Sequence, residues 1–180
     1  MPTICLSPSV HDFNPYIIGG NEEYYMNRIV DAMVPYLRAS GIGFNRNNPD
    51  DTLSQVIAQS NAGDYDLHLA LHSNVSPDTI RGVLQGPDVY FYTTNERGRR
   101  AADMITENLK TIYSNPSLVT AIATTTHKEL SGIRVPAVLV EIAYHDNYDD
   151  ATWLRDNINE IAKNLAQSVA QYLEVAFVSS

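Results

Sequence analysis

Short apolar runs alternate with longer amphipathic stretches along the chain, the pattern of an α/β domain built on a largely parallel sheet. Thr3 to Leu6 reads as a short strand stopped by Ser7-Pro8-Ser9. From 22 to 39, Met26, Ile29, Val30, Met33 and Leu37 recur at helical spacing, and Gly41 follows as a C-cap. Pro35 lies inside that pattern and predicts a kink or local irregularity. A strand is expected over Ile42 to Asn45 and a helix over Thr52 to Ser60. DLHLALH (66–72) and VYFYT (89–93) predict two more strands, and Glu96 to Tyr113 a helix. PAVLVEI (136–142) is apolar throughout apart from one acid, as in a strand covered on both faces. Asp149 to Val175 reads as one long closing helix, with Trp153, Leu154, Ile158, Ile161, Leu165 and Val169 toward the core. Residues 73–88 and 114–135 are the longest irregular stretches, and loops of that length are often binding loops. The expectation is a single domain over 1–180, a twisted, mostly parallel sheet of about six strands flanked by helices on both faces.

The pattern also singles out chemistry. Glu141 interrupts an apolar strand, and burying a carboxylate costs several kcal/mol unless it meets a cation, a metal or strong donors. It is either a structural acid paired with an arginine or a catalytic acid, and its place near the carboxyl end of a strand favours the second. His72 closes DLHLALH beside Ser73-Asn74, and His11 follows the first strand and its turn, so both lie beyond carboxyl ends as well. Each alone is compatible with a structural histidine. His68 points to the same face as His72, but four strand residues separate them by about 13 Å, too far for one ion. A catalytic zinc commonly takes two histidines and a carboxylate and leaves one position open. An acid opening the first helix, Glu22 or Glu23, would complete that set.

Composition narrows the classes. At 180 residues with 44% apolar side chains, the chain can bury about 70% of its unfolded surface in one core. Cys5 is the only cysteine and sits in an apolar run, which excludes an intrachain disulfide and a cysteine zinc cluster. The formal charge of −9, from 21 acids and 12 bases, disfavours nucleic acid. No stretch reaches the length of apolar sequence needed to span a membrane. The first ten residues lack a basic segment followed by an apolar one, so no signal peptide is expected in this chain.

Four blocks, in order, carry a resemblance. They are ICLSPSVH, then EEYYMNRIVDAMVPYLRASGIGFNRN, then DLHLALHSN with Asn61-Ala62 before it and Arg81-Gly82-Val83 after it, and finally PAVLVEIAYHDNYDDATWL. From about Thr3 to Tyr172 the chain resembles the zinc-dependent N-acetylmuramoyl-L-alanine amidases that cleave peptidoglycan, among them bacterial cell-separation amidases and phage endolysins. The resemblance implies one Zn²⁺ held by His11, Glu22 and His72, with Glu141 as the catalytic acid. Spacing back from Leu37 and Gly41 favours Glu22 over Glu23. The sequence departs from the family in carrying SPSVHD where a DPGHGG-like stretch is usual, and His68 where an aromatic or aliphatic residue is usual. Asn74, Arg81, Asn147 and His127 are candidate groove or substrate residues, and His145 a candidate support for Glu141, each with a plain loop residue as its alternative.

The expected partner is peptidoglycan, with a monomer and neither nucleic acid nor membrane. The expected place of action is the cell wall, reached by another secretion route, by release on lysis, or from a trimmed chain. An acidic protein is an awkward match for an anionic wall, and no basic wall-binding module is visible. Two rivals stand beside the amidase. A carboxypeptidase-type zinc enzyme would carry a histidine and an acid three residues apart, and no histidine here has that neighbour. A non-catalytic wall-binding domain would have no reason to retain all four site groups.

Overall fold

The two most apolar strands predicted from the sequence lie side by side at the middle of a six-stranded sheet. In the computed structural model, which describes residues 1–179, β3 (Leu67–Asn74) pairs in parallel with β6 (Ala137–Tyr144), His72 standing opposite Glu141. Around them are β1 (Thr3–Pro8), β2 (Gly43–Arg46), β4 (Asp88–Tyr92) and β5 (Thr120–Thr124), in the order β2-β1-β3-β6-β4-β5. β4 runs antiparallel to β6 and parallel to β5, so the sheet is mixed but mostly parallel. The helices are α1 (Glu22–Ala39), α2 (Leu53–Ala62), α3 (Glu96–Leu109), α4 (Lys128–Gly132), α5 (Tyr148–Asp156) and α6 (Ile158–Tyr172).

The two faces of the sheet are unequal. Leu67, Leu69 and Leu71 of β3 and Val138, Val140 and Ile142 of β6 point into the main core, packed under α1, α3, α5 and α6. The alternate positions belong to the other face, where α2 and α4 cover a smaller apolar cluster of Ala70, Leu130, Ile133, Ala137 and Leu139. The period of two sends His68, His72 and Glu141 to that thinner face, His68 near the amino end of β3 and His72 and Glu141 toward the carboxyl ends of the central strands.

Two departures from the sequence reading have local causes. The stretch 114–135 contains β5 and α4, an edge strand rich in Thr and Ala and a helix of five residues, both too short and too polar to show a period. The closing helix is two helices. Asn157 leaves helical geometry (φ −120°, ψ 22°) while its backbone and side-chain N–H groups donate to the Trp153 carbonyl, so α5 ends there and α6 begins. The apolar period continues across the break because both helices face the same core. α1 is assigned as helix continuously through Pro35, which stands on its exposed side.

Candidate metal centre and active site

α1 starts where the chain returns over the rim of the sheet. The Asn21 side chain caps it by accepting from the Tyr24 amide, and the Glu22 amide donates to the Asn14 carbonyl, which turns Glu22 inward. Glu22 is 1% exposed. Its Oε1 lies 2.9 Å from His72 Nδ1, and its Oε2 lies 3.7 Å from His11 Nδ1 and accepts from Asn14 Nδ2 at 2.6 Å. Glu23 is partly exposed and accepts from Asn27 one helical turn along. Donor atoms of His11, Glu22 and His72 all lie within 4.8 Å of one another, an arrangement that could hold a metal ion. Burial works against ionising Glu22, but His11 and His72 outweigh it and hold the carboxyl well below its ordinary range.

Glu141 faces the same cavity, of about 300 Å³. Its Oε2 is buried and has no hydrogen-bond partner among the described residues. Burial lifts its carboxyl; His72 opposes the shift while Glu22 and Asp88 add to it, leaving a pKa of about 7. No arginine pairs with Glu141 among the described residues, so the structural reading of a buried ion pair fails there.

Asn74 and His127 line the cavity, His127 at the start of α4 with its ring 4.5 Å from Tyr90. His145 also lines it, bonded through Nδ1 to Ser73 Oγ at 3.1 Å and stacked against Tyr16. Arg81 is absent from the lining: it is exposed and pairs with Asp78 in the adjoining loop. Asn147 is a helix cap, accepting from the Asp149 and Asp150 amides and donating to the Gly82 carbonyl.

Glu129 was not visible from the sequence. From α4 it lines the cavity at 4% exposure and bonds both His68 and His72. The only hint was His68, a histidine inside a buried strand that needs a polar partner, and nothing in the sequence says which of 21 acids supplies it.

The protein-family model described as N-acetylmuramoyl-L-alanine amidase matches residues 12–171. Among solved structures, the chain is similar to the amidase AmiC2 of Nostoc punctiforme, with a TM-score of 0.81, 17% identity, and coverage of 96% of this chain and 97% of that one. It is similar to the catalytic domain of the amidase CwlV from Bacillus (Paenibacillus) polymyxa var. colistinus at TM-score 0.81 and 16% identity, covering 98% and 100%. The catalytic domain of the CD27L endolysin targeting Clostridia difficile gives TM-score 0.77 at 21% identity, covering 95% and 98%. No curated protein matches. At such identities the structures speak for the shared fold, whereas the family model spans most of the chain: it belongs to the N-acetylmuramoyl-L-alanine amidase family, hydrolases that cut the amide between N-acetylmuramic acid and L-alanine in peptidoglycan.

Proposed function

We propose that this amidase is zinc-dependent, with His11, Glu22 and His72 as the ligands of one Zn²⁺ per chain and Glu141 as the group that moves the proton. The observation that carries the reading is the convergence of three donor atoms within 4.8 Å in a cavity shared with a buried carboxylate oxygen that has no hydrogen-bond partner among the described residues. Donor atoms on a tetrahedral zinc lie about 3.4 Å apart at usual bond lengths, and one donor atom from each of the three residues lies within 4.8 Å of the other two, close enough for small side-chain movements to bring them onto one ion. Two imidazoles and one ionised carboxylate are also a donor set that zinc prefers. When bound, Zn²⁺ supplies a Lewis acid that polarises the scissile carbonyl and lowers the pKa of water.

Glu141 accepts a proton from the attacking water and returns it to the leaving nitrogen of L-alanine. Burial raises the proton affinity of the Glu141 carboxyl above that of an ordinary glutamate and a nearby cation would draw it back down, opposing pulls that suit a group which must both take and release a proton. Asn74 and His127 line the same cavity and are the proposed substrate contacts. Arg81, exposed and paired with Asp78, is left to the loop that borders the site. The proposed place of action is the wall and the proposed state a monomer without nucleic acid as partner, since a charge of −9 disfavours phosphate binding; among the described residues, no helix is long and apolar enough to cross a membrane.

The test is Glu141→Gln. Zinc content is expected to stay near one per chain while hydrolysis of purified peptidoglycan falls by about 10²- to 10⁴-fold, the usual worth of a proton-transfer group. Mass spectrometry of the wild-type digest should find glycan strands with free lactyl groups and intact stem peptides. Wild-type rates in the Gln variant, or no zinc in the wild type after gentle purification, would overturn the reading.

A further inference from the structure

Glu129 lines the cavity yet takes no part in the chemistry above. Its Oε2 lies 3.0 Å from Nε2 of His72, the ring nitrogen opposite the one that meets Glu22. Its Oε1 lies 3.0 Å from Nε2 of His68 and accepts from Ser7 Oγ at 2.6 Å. His68 is fully buried, and its Nδ1 meets Ser60 Oγ at 2.9 Å. Side chains of β1 and β3 therefore meet the α4 carboxylate directly, and α2 joins them through the bond from Ser60 to His68.

The direction of these bonds has a chemical consequence. An ionised carboxylate accepts and cannot donate, so the His72 nitrogen that faces it carries hydrogen. With Nε2–H held by Glu129, Nδ1, which meets the Glu22 carboxylate at 2.9 Å, is the nitrogen that would give up its proton and offer a lone pair to a cation on the side where Glu22 and His11 stand. An imidazole free to turn about its χ2 torsion would present either nitrogen. Replacing the buried Glu129 and His68 by apolar residues would avoid a large desolvation cost, so their presence calls for a gain beyond packing. We propose that Glu129 is a positioning residue that holds the Nε2–H form of His72 so that Nδ1 faces the metal, while His68, locked by Ser60, and Ser7 fix the carboxylate from behind. The inference rests on the zinc reading above and adds to it which nitrogen binds and what holds it there.

Two measurements test it. In metal-depleted wild-type protein labelled with ¹⁵N-histidine and loaded with ¹¹³Cd, scalar coupling to the metal is expected at Nδ1 of His72, with Nε2 still protonated. Coupling at Nε2 would overturn the proposal while leaving the metal centre intact, and absence of any metal uptake would sink the zinc reading with it. The second measurement is zinc affinity by competition with a chromophoric chelator. Glu129→Gln should bind zinc about 10- to 100-fold more weakly, the usual effect of removing a partner behind a metal-bound histidine. Asn164→Ala, which removes the α6 side chain that donates to the Asn108 carbonyl on the opposite face of the sheet, should leave the affinity unchanged. A folded Glu129→Gln protein with wild-type zinc affinity would refute the assignment, and the cadmium experiment decides the question even if that variant does not fold.

Discussion

Glu22 and Glu23 are adjacent, chemically identical, and separated by about 100° around the axis of α1. That rotation decides their roles. Glu22 falls on the face that carries Met26, Ile29, Met33 and Leu37 and is buried against His72, whereas Glu23 looks along the outside toward Asn27. The sequence favoured Glu22 only by counting back from Leu37 and Gly41. The physical reason is the Asn21 cap, which fixes where the helix starts and so which residue turns inward. Glu22→Gln should lose more zinc affinity than the 10- to 100-fold typical of a supporting partner, because it removes a charged ligand and deprives the Asn14 amide of its charged acceptor. Glu23→Gln should retain full zinc stoichiometry by metal analysis. The reverse outcome would exchange the two assignments.

At the scale of elements, the first turn of α5 is what ties down the loop between β3 and β4. Asp146 accepts from the Ser76 and Gly82 amides, Asn147 holds the Gly82 carbonyl, and Asp150 accepts from the Gly86 amide, the Tyr144 amide and the Tyr113 hydroxyl. Gly86 has φ +100°, and a Cβ there would meet the Leu118 carbonyl at 2.5 Å, so the loop also needs glycine at its exit. Asn147→Ala should cost about 1–2 kcal/mol in chemical denaturation, the worth of a helix cap. It should also raise KM for peptidoglycan, since Asn74 and Val75 at the loop's start line the cavity. An unchanged KM would mean that the loop stays ordered without this tie. Asn147 was legible as a candidate groove residue, but its role as a cap was not, because a cap and a substrate contact use the same side chain. Strong periods made α1, β3 and β6 legible almost to the residue. β5 and α4 were hidden by their brevity, and the break at Asn157 by an apolar period that does not change across it. Glu129 was hidden because its partners lie 57 and 61 residues away, and no local pattern reports such a meeting.

Taken as a whole, the molecule divides its labour between the faces of one sheet. The thick face under α1, α3, α5 and α6 is apolar, and the thinner face under α2 and α4 carries the polar groups that surround the site. Stability therefore depends on pH through that thinner face, and His68 gives the clearest sign. Burial disfavours its charged form, yet the Cys5 sulfur and the Glu129 carboxylate prevail and raise its pKa from 6.5 to about 9. Below pH 6.5 the ring is charged in both folded and unfolded chains, and the ion pair contributes fully. Between 6.5 and 9 the unfolded chain has lost its proton while the folded one keeps it, so the contribution declines and is gone once the folded pKa is passed. A shift of that size is worth on the order of 3 kcal/mol. Metal-free wild type and metal-free His68→Gln, denatured in urea with a chelator present, should thus differ most near pH 6. The gap should narrow by a few kcal/mol by pH 9.5. A gap that stays constant over that range would mean that His68 is buried neutral, bonded to Ser60 and Glu129 without carrying charge.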